Sequence, residues 1–354
     1  MLVVRAVTAK DLDGLMALAR QVGPGMTTLK PDAGILEARI EAACAAFSGA
    51  LIAELCDYLF VMEDLATGEV VGVCAVKAAV GLREPFYNFR IGTLVHASAE
   101  LNIFSRMETL FLSSDLTGCA ELCSLYLRPD YRSAASGKLL SKSRFLFIAQ
   151  FIERFPTTVI AEMRGFLRQD GASPFWEHLG RHFFHMDFKS ADDLCSQGKK
   201  SFMGDLLPRH PLYVAYLPRE AQEVIGMVHV DTEPARHLLQ QEGMFHAGYI
   251  DIFDAGPVLQ ARIADLRASR NSRVQRVCSR DLTEPPGSKQ ESGQKPETPT
   301  MMATTAMDEF RVILVENVVA STASPDGVAL TASQAQALGC QPGDRLRTMP
   351  LKPD

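Results

Sequence analysis

From Thr283 to Thr300 the chain reads TEPPGSKQESGQKPETPT, with no Ala, Val, Leu, Ile, Met or aromatic side chain. Such a stretch cannot bury enough apolar surface to offset the entropy lost on ordering it. It divides the 354 residues into a large part, 1–275, and a small one, 307–354, with 276–306 as a flexible linker. Two domains also suit the length, at roughly 100–200 residues each. In the small part, Phe310 to Val319 is strand-like, Ser324-Pro-Asp-Gly327 and Pro342-Gly-Asp344 are turn signals, and 332–338 suits one short helix. A β-rich module of that size is thin for independent stability, so it is expected to pack on the main domain or on a partner.

Composition removes several classes of function. Lys and Arg number 36 against 42 Asp and Glu, a net charge of −6, and no basic block occurs, so nucleic acid is not the expected partner. The start, Met1-Leu-Val-Val-Arg5, lacks a basic segment followed by an apolar one, which argues against a secretory signal. The longest weakly charged run, Val70 to Leu82, is too short to cross a bilayer and contains Lys77. The eight cysteines (44, 56, 74, 119, 123, 195, 278 and 340) form no Cys-x-x-Cys pair and read as free thiols of a reducing compartment. A cytoplasmic protein without membrane contact is expected.

The large part alternates strands and helices. Val3–Val7, Tyr58–Glu63, Val70–Val76, Glu121–Leu127, Thr158–Met163 and Tyr249–Phe253 read as strands, the second and third as a hairpin around Thr67-Gly68. Thr8 caps a helix with Asp11 three residues on; Lys138–Arg154 and Glu233–Glu242 are further helices. Residues 82–118 read as an irregular, elaborated loop region.

The segment richest in chemistry runs from the strand ending at Leu127, through Arg128-Pro-Asp-Tyr-Arg-Ser-Ala-Ala-Ser-Gly137, into a helix. A loop of small residues opening a helix presents free N–H groups and the positive end of the dipole, both suited to a pyrophosphate. Lys138, Lys142 and Arg144 in the first turns would be relieved by a bound anion; equally, they suit an ordinary solvated basic face.

A proton carrier near neutral pH favours histidine, and eight are present, at 96, 178, 182, 185, 210, 229, 237 and 246. Residue chemistry alone singles out none of them. His178 and His182 have i, i+4 spacing with His185 nearby, but no carboxylate or cysteine completes a metal-ligand pattern, so no metal is expected. Cys119 and Cys123 lie among apolar neighbours and read as inert core rather than as a nucleophile.

The order of elements resembles the Gcn5-related N-acetyltransferase superfamily. Leu127-Arg-Pro-Asp-Tyr-Arg132 followed by Ser136-Gly-Lys138 is similar to its acyl-CoA loop, with Ala134 and Ala135 where the first glycine of Arg/Gln-x-x-Gly-x-Gly/Ala is expected. Tyr87-Asn-Phe-Arg-Ile-Gly-Thr-Leu-Val-His-Ala-Ser98, Ala161-Glu-Met-Arg-Gly165, Ser173-Pro-Phe-Trp176 and Tyr249-Ile-Asp-Ile-Phe-Asp254 resemble the arginine N-succinyltransferase family more closely still. The likeness is dense over 1–270 and looser over 308–351, and the linker is unlike the family.

That resemblance implies an α+β fold with a mixed central sheet flanked by helices, here with a small barrel-like C-terminal module. It implies transfer of a succinyl group from succinyl-CoA to the α-amine of L-arginine, direct within a ternary complex, with succinyl-CoA as co-substrate and no permanently bound cofactor. By residue-for-residue match the acyl-CoA site takes Leu125, Leu127, Arg132, Ser136, Gly137 and Lys138, and the proton donor falls on His229 of Gly226-Met-Val-His229. The substrates' own charges require partners, for which Arg90, Glu162, Arg164 and Asp251 are candidates at or beside strands. Other readings are an acyl-CoA N-acyltransferase for ornithine or another amine, and a non-catalytic subunit of a hetero-oligomer. A homo-oligomer, or a hetero-oligomer with a similar subunit, is expected.

Overall fold

The structure, a computed structural model, describes residues 1–22, 26, 28–196, 201–278, 299–316, 319–320 and 327–352. The strands in chain order are β1 (Leu2–Ala6), β2 (Asp57–Asp64), β3 (Glu69–Lys77), β4 (Asn88–Ser98), β5 (Ile103–Ser113), β6 (Ala120–Leu127), β7 (Thr158–Glu162) and β8 (Leu212–Tyr213). They continue as β9 (Phe245–Asp251), β10 (Pro257–Arg262), β11 (Arg273–Cys278), β12 (Thr300–Thr304), β13 (Arg311–Val315), β14 (Val319–Ala320), β15 (Gly327–Ala329) and β16 (Arg345–Pro350). The helices are α1 (Leu12–Ala19), α2 (Ala33–Phe47), α3 (Ala134–Gln150), α4 (Arg181–Phe184), α5 (Phe188–Ser196), α6 (Ser201–Leu206), α7 (Arg219–Glu223), α8 (Glu233–Gln241), α9 (Arg267–Asn271) and α10 (Ala332–Leu338).

All these strands join one sheet in the order β14-β15-β11-β16-β12-β13-β1-β2-β3-β6-β7-β10-β9-β4-β5-β8. Pairing is antiparallel except for β6 with β7 and β11 with β15. Among the described residues the C-terminal strands therefore join the main sheet. β13 pairs with β1, Val3 opposite Ile313, and carries the main sheet onward. Strand also occupies both ends of the expected linker, at 276–278 and 300–304, because Arg276 and Val277 pair with β15 and Thr300–Thr304 pairs with β16. The rest of that expected linker up to residue 298 lies outside the described residues.

Helix α3 explains why the sheet continues. It has no exposed side from Leu139 to Ala149, and Ser141, Lys142, Ser143 and Arg144 are as buried as Phe145 and Phe147. Its neighbours are β1, β3 and β6, then β12, β13 and β16, with α8 and α9. Strands from both halves of the sheet thus close around one central helix, which has no apolar stripe because it needs none. Phe47 of α2, Phe60, Phe147 and Phe310 pack edge to face at its C-terminal end, with ring centroids 4.9–5.8 Å apart.

Residues 82–118 are not an irregular loop. β4 and β5 form a long hairpin, paired from Asn88–Ser113 to Ser98–Ile103. Both faces of its outer half are largely solvated, Leu94, Val95 and Phe104 among them, which erases the alternation that marks a half-buried strand.

The feature that shapes the site is a bulge in β6. Its register with β3 shifts between Val73 and Ala75, and Ser124 takes φ +54°, a conformation costly for a non-glycine residue. Side-chain bonds hold it there: Ser124 Oγ accepts from Arg39 Nη1 at 3.0 Å and donates to Thr28 Oγ1 at 2.9 Å. A bulge bends its strand. β6 then pairs with β7 only at Ala120–Val159 and Glu121–Ile160, and the two strands part beyond those residues.

Candidate active site

Where β6 leaves β7, Leu122 to Leu127 carries backbone groups no longer laddered to that neighbour. Leu125 is half-buried just beyond the bulge and Leu127 is buried, its carbonyl accepting from Arg132 Nε at 3.0 Å. The chain turns through Pro129–Tyr131 into α3, whose N-cap is Ser133. Ser133 Oγ accepts from Ser136 N at 3.1 Å, and Gly137 N donates to Ser133 O at 3.0 Å. Ala134 and Ala135, the first helical residues, keep N–H groups with no intrahelical acceptor. Ser136 is buried, Gly137 and Lys138 are half-buried, and Arg132 is exposed. Strand end, N-cap and lysine therefore form one continuous surface suited to an elongated anion.

The basic helix start is narrower than expected. Lys142 and Arg144 are buried, and burial lowers the pKa of both. Lys142 Nζ pairs with Glu242 Oε1 at 2.8 Å, and the Arg144 guanidinium bonds Ser141 O and Oγ, each at 3.1 Å. Neither reaches the loop. Arg128 is answered by Asp130 at 2.8 Å and Glu69 at 3.3 Å, which leaves Arg132 and Lys138 as the cations of this surface.

At the far end of β7 lies a cavity of about 130 Å³. Glu162, Arg164 and Asp251, three residues singled out in the sequence, line it together. Asp192 of α5 and Asp254 line it too, and sequence reasoning missed both. A signal for Asp254 existed in its i, i+3 spacing from Asp251 ahead of Gly256-Pro257; nothing in the sequence marks Asp192. Arg90 stands elsewhere: its side chain is 60% exposed and faces Asp115 at 3.7 Å. A neighbouring cavity of about 330 Å³ shares Pro85, Phe86 and Glu162 and includes Lys77, paired with Glu121 at 3.2 Å.

The acidic wall is tightly held. Asn88 Nδ2 donates to Glu162 Oε1 at 2.7 Å, and Lys30 Nζ to Asp192 Oδ2 at 3.1 Å. Asp251 Oδ1 accepts from Phe253 N at 2.7 Å and Asp254 N at 3.0 Å. Asp254 accepts from Gly165 N at 2.7 Å and Gly256 N at 2.9 Å. Burial, then the charge of Asp251, pushes Asp254 up to about 8, and burial raises Asp251 as well. A cation entering beside these carboxyl groups would draw off the proton and pair with the charge left behind.

This clamp depends on close backbone approach. A Cβ on Gly256 would stand 1.9 Å from the Met163 carbonyl oxygen. Gly256→Ala must push the 163–165 and 254–256 segments apart, at about 1–3 kcal/mol for such overpacking. The expected result is a lower denaturation midpoint; an unchanged midpoint would mean that the two segments part without cost.

His229 lies beside Arg164. Its N–H donates to Arg164 O at 2.8 Å, and Val228 bridges to Gly165. The ring is largely covered, and Nδ1 accepts the Asp231 N–H at 3.2 Å. That bond assigns the neutral ring's proton to Nε2. Burial, and then the Arg164 charge, lower its pKa against the pull of Asp231. His178 instead pairs with Glu220, which also holds Arg168.

No helix among the described residues is long and apolar enough to cross a membrane. Residues 2–268 match the family described as arginine N-succinyltransferase beta subunit. The chain is 46% identical over 351 residues to arginine N-succinyltransferase of Shigella dysenteriae, spanning 99% of this chain and 98% of that protein. The same identity and coverage hold for the Escherichia coli K12 protein of that name. Among solved structures, arginine/ornithine succinyltransferase subunit AI from Pseudomonas aeruginosa superposes with a TM-score of 0.86 at 35% identity, covering 100% of this chain and 99% of that one. A splayed pair of strands, an anion-ready helix start and an acidic cavity beside a histidine thus occur in a chain that belongs to the arginine N-succinyltransferase family, whose members are acyltransferases.

Proposed function

We propose that the chain transfers the succinyl group of succinyl-CoA to the α-amine of L-arginine, directly and within a ternary complex. The observation that carries this reading is the cavity, which joins one arginine to four carboxyl groups next to a neutral histidine, inside a family of this activity. Arginine presents a cation, a carboxylate and a reacting amine, and each meets its complement there.

On this reading the pantetheine arm lies along β6 near Leu125, bonded like an added strand, and the pyrophosphate rests on the N–H groups opening α3 beside Arg132, Ser136, Gly137 and Lys138. The diverging β6 and β7 support a Gcn5-related N-acetyltransferase type of core. The neutral amine attacks the thioester carbonyl carbon, a C–N bond forms, and the C–S bond breaks. His229 gives its Nε2–H to the departing CoA sulfur, and the proton shed by the amine restores Nε2–H, so the ring ends neutral with Nδ1 still accepting the Asp231 N–H. Glu162, Arg164 and Asp251 hold the substrates' charged ends. On this reading the enzyme works in the cytoplasm, and self-association or pairing with a similar subunit belongs to the same proposal.

The test is turnover by the purified chain, followed by CoA release, with succinyl-CoA or acetyl-CoA as donor and arginine or ornithine as acceptor. Succinyl-CoA with arginine is expected to be the fastest pair. A clear preference for acetyl-CoA would overturn the donor, and one for ornithine the acceptor.

A further inference from the structure

Arg164 lies between the acidic cavity and His229, and its charge is not directly answered. Its Nε is buried without a hydrogen-bond partner, and Asp254, Asp231 and Asp192 act on it only from beyond ion-pair distance among the described residues. Most of the other buried cations are paired: Lys142 and Arg267 with Glu242, and Arg39 with Asp57. An unmatched buried donor is costly, so one that lines a cavity and stays unmatched is suited to a ligand that supplies the acceptor.

That acceptor is a carboxylate, and the proposed reaction brings two: the α-carboxylate of the amino acid and the terminal carboxylate of the succinyl group. Placement distinguishes them. The Arg164 carbonyl accepts from the His229 N–H at 2.8 Å and Gly165 bridges to Val228, so guanidinium and imidazole are held next to each other on two adjoining segments. The α-carboxylate is attached to the same carbon as the reacting amine. The succinyl carboxylate lies two methylene groups beyond the reacting carbonyl. Asp192, Asp251 and Asp254 line the same cavity as Arg164, while His229 does not, so the cationic end of the same amino acid belongs among those carboxyl groups.

We propose that Arg164 binds the α-carboxylate of the acceptor and so restricts the enzyme to α-amino acids, with the cationic side chain running among Asp192, Asp251 and Asp254. This rests on the acceptor reading given above and adds which group selects the acceptor's head.

The test compares Arg164→Met and Arg164→Lys with the unaltered chain on arginine and on agmatine, which keeps the guanidinium and loses only the carboxylate. Each acceptor is run with succinyl-CoA and with butyryl-CoA, which lacks the terminal carboxylate. One charge-assisted bond corresponds to about 10–100-fold. Arg164→Met is expected to lower kcat/KM for arginine by that factor, leave agmatine within about threefold, and so collapse the preference between them. The preference for succinyl-CoA over butyryl-CoA stays as it was, and Arg164→Lys recovers part of the arginine rate. Thermal midpoint and CoA affinity check that the variants are folded. Equal losses on arginine and agmatine would overturn the proposal, leaving Arg164 a structural role. Loss of the succinyl-over-butyryl preference would overturn it too, by assigning Arg164 to the acyl carboxylate. An unaltered chain inactive on arginine would overturn the acceptor reading itself, a result distinct from both.

Discussion

Replacing His229 with alanine is expected to lower kcat by about 10²–10⁴-fold, the range of positioned proton transfer, while CoA affinity stays the same. The ring does two things, so one substitution is ambiguous. Nδ1 accepts the Asp231 N–H and caps the short turn Val230–Thr232, and Nε2 is left for chemistry. His229→Asn separates the roles, because its side-chain oxygen can keep the cap but cannot titrate near neutral pH. Both variants are expected to be equally slow, with only the alanine losing stability, by about 0.5–2 kcal/mol. The pH profile adds a sign. The pKa of His229 lies below the ordinary histidine value, so the neutral ring, with its proton on Nε2, is the form present at pH 7 and is lost only as pH falls through that depressed value. The acid limb of kcat/KM therefore lies low in the parent and vanishes in both variants. An asparagine variant as active as the parent would remove His229 from the mechanism.

The largest effect on stability is expected at Glu242. Its Oε1 meets Lys142 Nζ at 2.8 Å and Arg267 Nη2 at 2.8 Å, with side-chain exposures of 0% for Glu242, 0% for Lys142 and 9% for Arg267. Glu242→Ala leaves two cations facing each other without an anion, a defect of about 3–5 kcal/mol by analogy with broken buried pairs. Against a typical total of about 5–15 kcal/mol, that endangers the fold. Lys142→Met is milder, since Arg267 and Glu242 keep each other. Chemical denaturation of the three proteins at low temperature should rank parent, Lys142→Met, then Glu242→Ala. Equal midpoints for parent and Glu242→Ala would mean the trio contributes nothing net.

Much of the fold was legible because local signals and tertiary burial agreed. β1, β2, β3, β6 and β7 are short apolar runs bounded by turns. α10 spans the expected 332–338, with Thr331 and Gln334 forming a capping box and Gly339 closing it at φ +68°. Failures came where context overrode the local reading. Lys142 and Arg144 read as a basic face because no local pattern reveals that β12, β13 and β16 cover it. The β4–β5 hairpin was hidden by solvent on both faces, and α2 drew no assignment at all. In the candidate site, Glu162, Arg164 and Asp251 were visible as charges at strand ends. Asp192 was not, because α5 reaches the cavity only through tertiary folding, held by Lys30, 162 residues away in sequence.

The closure of the sheet around α3 also dictates a sequence of events during synthesis. β1 is made long before β13, and its outer edge stays open until β13 arrives, Val3 waiting for Ile313. Lys142 takes its backbone acceptor from Leu351 and Arg267 takes one from Pro350, 209 and 83 residues later in sequence. A ribosome-bound chain therefore exposes an open strand edge and an incompletely covered charged helix until residues 311–351 emerge, the kind of surface that favours aggregation and engages chaperones. Strand β16, made long after α3, is the one that completes the enclosure of that helix.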